Sequence, residues 1–248
     1  MSIYEDPCIV RKRIQNLLLE QPPQVGFDWV SSHIAKSVRE RDAFALRDVI
    51  EAARAFVELR RRESFVEKLR DFYGCTSEDD ELDTLTRSFF TDYPPSKTGV
   101  PHTDVQNAQV LISQPLGVQK AMARSHIRGH QEALLFSPWP QVIEILCANP
   151  DIQQRDVVFM ASRRPSMNEL LEPILLSPWS ARVEVRFALA ANPAFCVSHA
   201  MRCAISLPAD RLAVIAEMPE LHGFLRNLAI ALMRYMRVPE RIRPHAGG

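Results

Sequence analysis

The sequence predicts an all-α fold in which short antiparallel helices stack on one another as an α-solenoid. The 248 residues include only 8 Gly against 18 Pro, whereas nucleotide-binding α/β folds and β-rich folds both use glycine in turns and at close backbone approaches. Apolar residues recur at helical spacing, and a short phrase that joins two helices occurs four times. Helices this short cannot bury their apolar faces alone, so they must stack on their neighbours.

Residues 1–92 are predicted to form an N-terminal helical region. Asp6 is placed to cap the first helix, because its side chain precedes a proline that suits the first helical position. The Pro-Pro pair that begins at Pro22 ends this helix. A second helix is predicted over about 27–39. These helices are also the predicted surface for formation of a homo-oligomer.

Asp42 is predicted to cap a longer helix, which has an apolar stripe on one face and charges on the other. Helical spacing then continues to Gly74, which is predicted to be a left-handed C-terminal cap. The acidic run 77–81 indicates the next helix start, because negative charge is favoured at a helix N-terminus. Residues 93–102 show no periodicity and are predicted to be a Pro-rich linker.

Residues 103–238 are predicted to be a region of helical repeats, and residues 239–248 a C-terminal tail. The recurring phrase has three apolar or small residues, then Ser, then Pro. It predicts the end of one helix, a tight turn, and a new helix that Ser caps and that has Pro in its first turn. The serines of the four copies are Ser113, Ser137, Ser177 and Ser206.

The ends of the repeat helices also recur. Asn149 and Asn192 each precede a proline, and the residue before a proline does not comfortably continue a helix. Ser166 and Glu169 have the spacing of a capping box, which predicts a helix from Ser166 to Leu176.

The run 183–193, with the sequence VEVRFALAANP, resembles the helix of HEAT-like repeats, and especially of the bacterial leucine-rich-repeat variant with its VRxAxAxNP pattern. Residues 143–150 resemble the same helix more loosely. The resemblance covers about 104–236 and implies a right-handed solenoid of stacked antiparallel helix pairs. Such repeats act mostly as binding scaffolds. The resemblance therefore implies a non-catalytic scaffold or adaptor that binds another protein through the solenoid surface.

Composition narrows the function further. The chain has 30 basic and 30 acidic residues, so it lacks the net positive field that attracts nucleic acid, and nucleic acid is not the expected partner. No apolar run approaches the roughly 20 residues of a membrane span, so no membrane insertion is expected. Five cysteines without a CxxC pair, and an N-terminus unlike a secretory signal, predict a reducing, cytoplasmic location. Phosphate-loop, dinucleotide, serine-hydrolase and zincin motifs are absent from the sequence, so no cofactor is expected.

Two tryptophans and three arginines are the predicted protein-binding residues. Trp139 and Trp179 occupy equivalent places in two copies of the phrase, which predicts an aromatic ridge; repeat-defining core packing is the alternative. Arg182, Arg186 and Arg211 lie on the same class of helices and are predicted to line one surface, the alternative being plain solvated charge. Trp and Arg dominate the energetics of protein interfaces.

Cys196, His199 and Cys203 lie at positions i, i+3 and i+7, so a helix would place them on one face, and thiolate with imidazole suits a soft metal. No fourth ligand is evident, so packing between helices is the favoured interpretation and no metal is expected. The alternative function is a nucleic-acid-binding or DNA-glycosylase-like protein on a HEAT-like fold. In that case Asp210 would be the carboxylate, with the two tryptophans, Arg182 and Arg186 as partners.

Overall fold

A computed structural model describes residues 5–97 and 114–237, and the regular secondary structure of these residues is helical, as predicted, apart from one isolated β-bridge between Pro95 and Cys196. The N-terminal helices are α1 (Pro7–Glu20), α2 (Pro23–Ala35), α3 (Ala43–Leu59), α4 (Glu63–Gly74) and α5 (Asp80–Phe90). The others are α6 (Leu116–Arg124), α7 (Arg128–Leu134), α8 (Pro140–Ala148), α9 (Gln154–Ser162), α10 (Asn168–Leu176), α11 (Val183–Ala190), α12 (Val197–Ile205), α13 (Ala209–Glu217) and α14 (Gly223–Arg237). A π-helical turn, Lys36–Glu40, follows α2, and a 3₁₀ turn, Pro178–Ala181, precedes α11. The predicted tail, part of the predicted linker and the Ser113 phrase lie outside the described residues.

Aspartate caps begin the helices where the sequence predicted them. The Asp6 carboxylate accepts a hydrogen bond from the Cys8 N–H at 2.8 Å. The Asp42 carboxylate accepts from the N–H groups of Phe44, at 2.8 Å, and of Ala45, at 3.3 Å. Each bond satisfies an amide that has no partner inside its own helix, and such a cap contributes about 1 kcal/mol to stability.

Two predicted helix ends are wrong. Gly74 is still helical, and its backbone is not left-handed; the chain leaves α4 in an extended conformation at Cys75. Ser166 does not begin α10, which starts at Asn168: the Ser166 Oγ is buried and has no hydrogen-bond partner, so it caps no amide. The Asn168 Oδ1 accepts the Cys196 N–H at 2.8 Å.

The five N-terminal helices close around a cluster of phenylalanines. Phe72 and Phe90 stack in parallel with ring centroids 4.4 Å apart, and Phe56 meets Phe65 edge-to-face at 5.2 Å. These rings are fully or almost fully buried. Gly26 lets α2 approach this cluster, since a Cβ atom there would lie 3.0 Å from Phe72. Aromatic pairs of this kind add about 0.5–1.5 kcal/mol each to the energy of simple burial.

The later helices form three sets of three, which are α6–α8, α9–α11 and α12–α14. In every set the first helix packs against the third. Between sets, α8 packs on α10, and α11 packs on α12. The phrase centred on Ser137 or Ser177 joins the second and third helices of a set, whereas the Ser206 phrase joins the first and second. The phrase therefore forms turns between short helices, and these turns do not occupy the same position in every set.

An asparagine clamp joins the third helix of a set to the end of the first. The Asn149 Nδ2 group donates to the carbonyl oxygens of Ala123, at 2.8 Å, and Ser125, at 3.0 Å, and its Oδ1 accepts the Asp151 N–H at 2.9 Å. Asn192 makes the same three bonds one set later, to Ala161 O at 2.9 Å, Arg163 O at 3.0 Å and Ala194 N–H at 3.0 Å. Both clamps use carbonyls that have no partner inside their own helix.

The N-terminal helices and the three sets share one hydrophobic core. Helix α12 packs on α3 and α5, and α14 packs on α5. The segment 91–97, which the sequence placed at the start of a linker, lies against the chain just before α12. There the Cys196 Sγ donates to Tyr93 O at 2.8 Å, and the Lys97 N–H donates to Pro193 O at 3.1 Å.

Arg202 on α12 joins these two parts most directly. Its side chain is almost fully buried, and it donates to Phe89 O at 2.8 Å and Thr91 O at 3.0 Å, at the end of α5. Its guanidinium also lies 3.9 Å from the centre of the Phe56 ring. Burial lowers the pKa of Arg202 to about 9. The side chain therefore stays charged at neutral pH, and it anchors α12 to α5.

Candidate functional site

The first candidate site is a groove along α8 and α10, with a cavity volume of about 540 Å³. Its lining residues are Arg61, Pro140, Gln141, Glu144, Cys147, Ala148, Glu169, Glu172, Pro173, Leu176, Ser177 and Pro178. Pro140 begins α8, Pro173 lies inside α10, and Pro178 begins the 3₁₀ turn. Proline rings present apolar surface and no N–H donor, so these positions give the groove rigid, apolar walls.

The groove carries an excess of negative charge. Glu144 and Glu169 are exposed, and neither has an ion-pair partner within the described residues. The third carboxylate, Glu172, accepts a hydrogen bond from Arg61 Nη2 at 2.7 Å. Arg61 lies between α3 and α4, so this ion pair ties the groove wall to the N-terminal helices. Two carboxylates remain free to meet positive charge.

Cys147 lines the groove but cannot act as a nucleophile at neutral pH. Its side chain is buried, and burial raises the pKa of the thiol to about 12. The thiolate is the reactive form of cysteine, and at neutral pH almost none is present. The groove therefore has the chemistry of a binding surface: apolar walls, free carboxylates and an unreactive thiol.

The two predicted tryptophans differ in their surroundings. Trp139 directly precedes α8, next to the groove residue Pro140, and 42% of its surface is exposed. Trp179 is half-buried in the 3₁₀ turn, and its indole N–H donates to Cys147 O at 3.0 Å. Trp179 thus satisfies a carbonyl near the end of α8. The equivalence predicted from sequence does not hold, and only Trp139 presents an exposed ring beside the groove.

The three predicted arginines do not form one surface. Arg182 is exposed at the start of α11, and the guanidinium of Arg211, on α13, lies 4.9 Å from the centre of the Phe187 ring. Arg186, the arginine of the VRxAxAxNP pattern, is only 2% exposed. Its Nη1 donates to the carbonyls of two residues in the 3₁₀ turn, and its Nη2 donates to Ser206 O at 3.2 Å. The prediction that Arg186 contacts a partner from the surface is therefore wrong, because turn and helix-end carbonyls hold it inside.

A second cavity, here called the arginine pocket, has a volume of about 700 Å³. It is lined by Ser37, Val38, Arg39, Arg41, Leu46, Val183, Arg186, Ile205, Ser206, Leu207, Pro208, Ala209, Asp210, Met236 and Arg237. Asp210 and Arg186, which the glycosylase-like alternative combines, do both line this pocket. Trp139 and Trp179 do not, so the aromatic and charged residues of that alternative are not brought together.

The Cys-His-Cys trio forms part of the packing around α12. The Cys196 Sγ contacts Tyr93 O, and Cys203 is buried with its pKa raised to about 12 by that burial. His199 is fully buried, and its Nε2 accepts a hydrogen bond from Arg60 Nη1 at 3.0 Å. Burial, and then neighbouring arginines, lower the pKa of His199 well below its usual range, so the ring is neutral. In residues 5–97 and 114–237, no three His, Cys, Asp or Glu side chains are arranged to hold a metal ion.

The arginine pocket was missed at the sequence level because its arginines come from three segments far apart in the chain, which contain Arg39 with Arg41, Arg186, and Arg237. Comparison of the chain with models of known protein families, with curated proteins and with solved structures gave no match. Among the described helices, none combines the length and apolar character needed to cross a membrane.

Proposed function

We propose that this protein is a non-catalytic helical-repeat scaffold that binds a segment of a protein partner in the groove between α8 and α10. In this proposal the three sets of helices stack as a HEAT-like, right-handed α-solenoid. The two asparagine clamps support a repeating, preformed framework, since two successive sets each join their third helix to the end of their first by the same two bonds. A surface that exists before the partner arrives loses little conformational entropy on binding.

The observation that carries the proposal is the combination of free carboxylates with an exposed aromatic ring at one groove. Glu144 and Glu169 offer two negative charges beside apolar proline walls, and Trp139 lies next to Pro140 at the start of α8. Exposed tryptophan is a frequent anchor in protein interfaces. The partner segment should therefore be extended or helical, and should carry Lys or Arg beside an apolar side chain.

The alternative of nucleic-acid binding or glycosylase-like activity has less support. The groove is acidic, which opposes phosphate, and the tryptophans lie away from Asp210. The two functions differ in their response to salt. Binding driven by phosphate weakens steeply as salt rises, whereas a groove with apolar anchors weakens less.

The experiment is selection of a displayed library of random 12-residue peptides on the purified protein, followed by fluorescence anisotropy of the enriched peptides. We expect sequences that combine basic and apolar residues. Glu144→Gln/Glu169→Gln should weaken their binding about tenfold, since each exposed ion pair contributes up to about 1 kcal/mol. The matched control is Glu67→Gln/Glu217→Gln, which removes two exposed carboxylates elsewhere and should leave affinity unchanged.

Trp139→Ala supplies an independent arm. It should weaken the same peptides by at least about tenfold, because interface tryptophans often contribute 2 kcal/mol or more. The unfolding free energy of the ligand-free variant is measured beside the binding, since only 42% of the Trp139 surface is exposed and the truncation removes the contacts of the rest. Equal loss of peptide binding in the control pair would refute the groove as the site. Selective binding of labelled DNA or RNA, lost as salt rises, would instead favour the nucleic-acid alternative.

A further inference from the structure

We propose that the arginine pocket binds a small organic molecule that carries a phosphate group. This site shares no lining residue with the groove, and it does not depend on the function proposed there. Four arginines line it, and the one carboxylate among its lining residues is that of Asp210. Asp210 is 75% exposed, and its Oδ2 lies 3.8 Å from Arg211 Nε, so little of its charge opposes an anion inside the pocket.

Arg186 gives the strongest support for an anion site. It is 2% exposed, and its three side-chain hydrogen bonds go to backbone carbonyls. Its Nε–H has no acceptor, and none of the described carboxylates lies within 4 Å of its guanidinium. A buried charge without a counter-ion is costly, and burial lowers the pKa of Arg186 accordingly. A bound anion would supply both the missing acceptor and the missing charge.

Two helix N-termini open into the same pocket. Val183 is the first residue of α11 and Ala209 the first of α13, and both line the cavity. The residues that precede them, Arg182 and Pro208, provide no side-chain hydrogen bond to the first turn. Neither helix therefore has a capping side chain that accepts from its first amides. Unpaired N–H groups and the helix dipole together favour an anion at this position.

Arg41 occupies a backbone conformation that does not suit it. Its φ of 55° and ψ of 33° are left-handed, and its N–H donates to Lys36 O to close the π-helical turn. Glycine is the usual residue at such a helix end, because a side chain there costs about 1–2 kcal/mol. An arginine at this position is consistent with a use for its charge in the pocket. Neighbouring Arg39 is held in place by Asp79 at 3.1 Å and by the Tyr235 ring at 4.0 Å.

The remaining walls indicate that the ligand has an apolar part. Val38, Leu46, Ile205, Leu207 and Met236 line the pocket between the arginines. A volume of about 700 Å³ falls within the 300–1,000 Å³ that is typical of small-molecule sites. Convergent cations on an apolar surface fit a phosphate group attached to an organic body better than they fit a bare ion.

The probe for this site is phenyl phosphate, which is compared with inorganic phosphate and benzoate by titration calorimetry at fixed ionic strength. We expect phenyl phosphate to bind at least about tenfold more tightly than either of the others, because inorganic phosphate lacks the apolar ring and benzoate offers the arginines a carboxylate with less charge and fewer acceptor oxygens than a phosphate. Equal affinity for phenyl phosphate and inorganic phosphate would overturn the organic part of the proposal. Absence of phenyl phosphate binding at about 10 mM would overturn the site itself.

The variant that tests the residues is Arg41→Gln/Arg237→Gln. Both arginines are exposed and have no ion pair within the described residues, so the variant should fold with little change in melting temperature. It should bind phenyl phosphate at least about tenfold more weakly, because charge-assisted bonds to phosphate are the strong ones. The control, Arg62→Gln/Arg234→Gln, removes two exposed arginines outside the pocket. An equal loss in the control would show general charge attraction, and would refute the proposal.

Discussion

The two asparagine clamps allow a test of whether successive helix sets are built alike. Asn149→Ala and Asn192→Ala each remove three hydrogen bonds, two donated to carbonyls at a neighbouring helix end and one accepted from the turn that follows. Both side chains are at least nine-tenths buried. With a net contribution of about 1 kcal/mol for each bond, either variant should lose about 3 kcal/mol of unfolding free energy. The central expectation is that the two losses are similar.

The assay is urea denaturation followed by helical circular dichroism, with the slope checked for two-state behaviour. Asn149→Asp is the matched control, because it keeps the Oδ1 acceptor while it replaces the amide donor with an oxygen that faces two carbonyls. It should destabilise at least as much as alanine does. A loss below about 1 kcal/mol in Asn149→Ala or Asn192→Ala would contradict the clamp's role, and a difference of more than about 2 kcal/mol between them would contradict equivalence.

Two further predictions concern His199 and Trp179. Burial depresses the pKa of His199, so below the ordinary pKa of 6.5 the unfolded chain takes up a proton at this histidine and the folded chain does not. The unfolding free energy should therefore fall, through this group, by up to about 1.4 kcal/mol for each pH unit below that value. His199→Gln keeps an acceptor for Arg60, and its unfolding free energy, measured by urea denaturation, should fall less steeply between pH 7 and 5. Trp179→Phe should cost about 1 kcal/mol through loss of the bond to Cys147 O, whereas Trp139→Phe should cost almost nothing in the same assay.

The sequence predicted local features well where a single turn determines them. Asp6 and Asp42 act as caps because the acceptor and the amides it satisfies lie within three residues of each other. The capping box predicted at Ser166 did not form: the Ser166 Oγ is buried without a hydrogen-bond partner, and the helix begins at Asn168. Residue spacing alone does not show whether a side chain reaches the amides of the first turn. Helix type was therefore predictable, whereas individual helix ends were not.

The candidate sites were less predictable, because they depend on which side chains are buried and on which distant segments the fold brings together. Trp139 and Trp179 share a motif position, yet of the two only Trp179 donates a hydrogen bond to Cys147 O, which fixes it within the fold. Arg186 was expected at the surface because arginine usually lies there, but its guanidinium is buried and donates hydrogen bonds to nearby backbone carbonyls. Arg41 carries no sequence signal at all. Its left-handed backbone becomes visible only once the π-helical turn has formed.

Net charge is a poor guide to binding in this protein, because its two cavities have opposite local charge. The groove has carboxylates in excess, while the arginine pocket has guanidinium groups in excess, and these opposite local charges do not show in a total of 30 basic and 30 acidic residues. A zero total therefore argues only against a long-range field, which falls off within about 10 Å in physiological salt. At contact distance the local groups decide affinity. The two sites should consequently discriminate strongly between a basic peptide segment and a phosphorylated small molecule, since the residues that attract one of them repel the other.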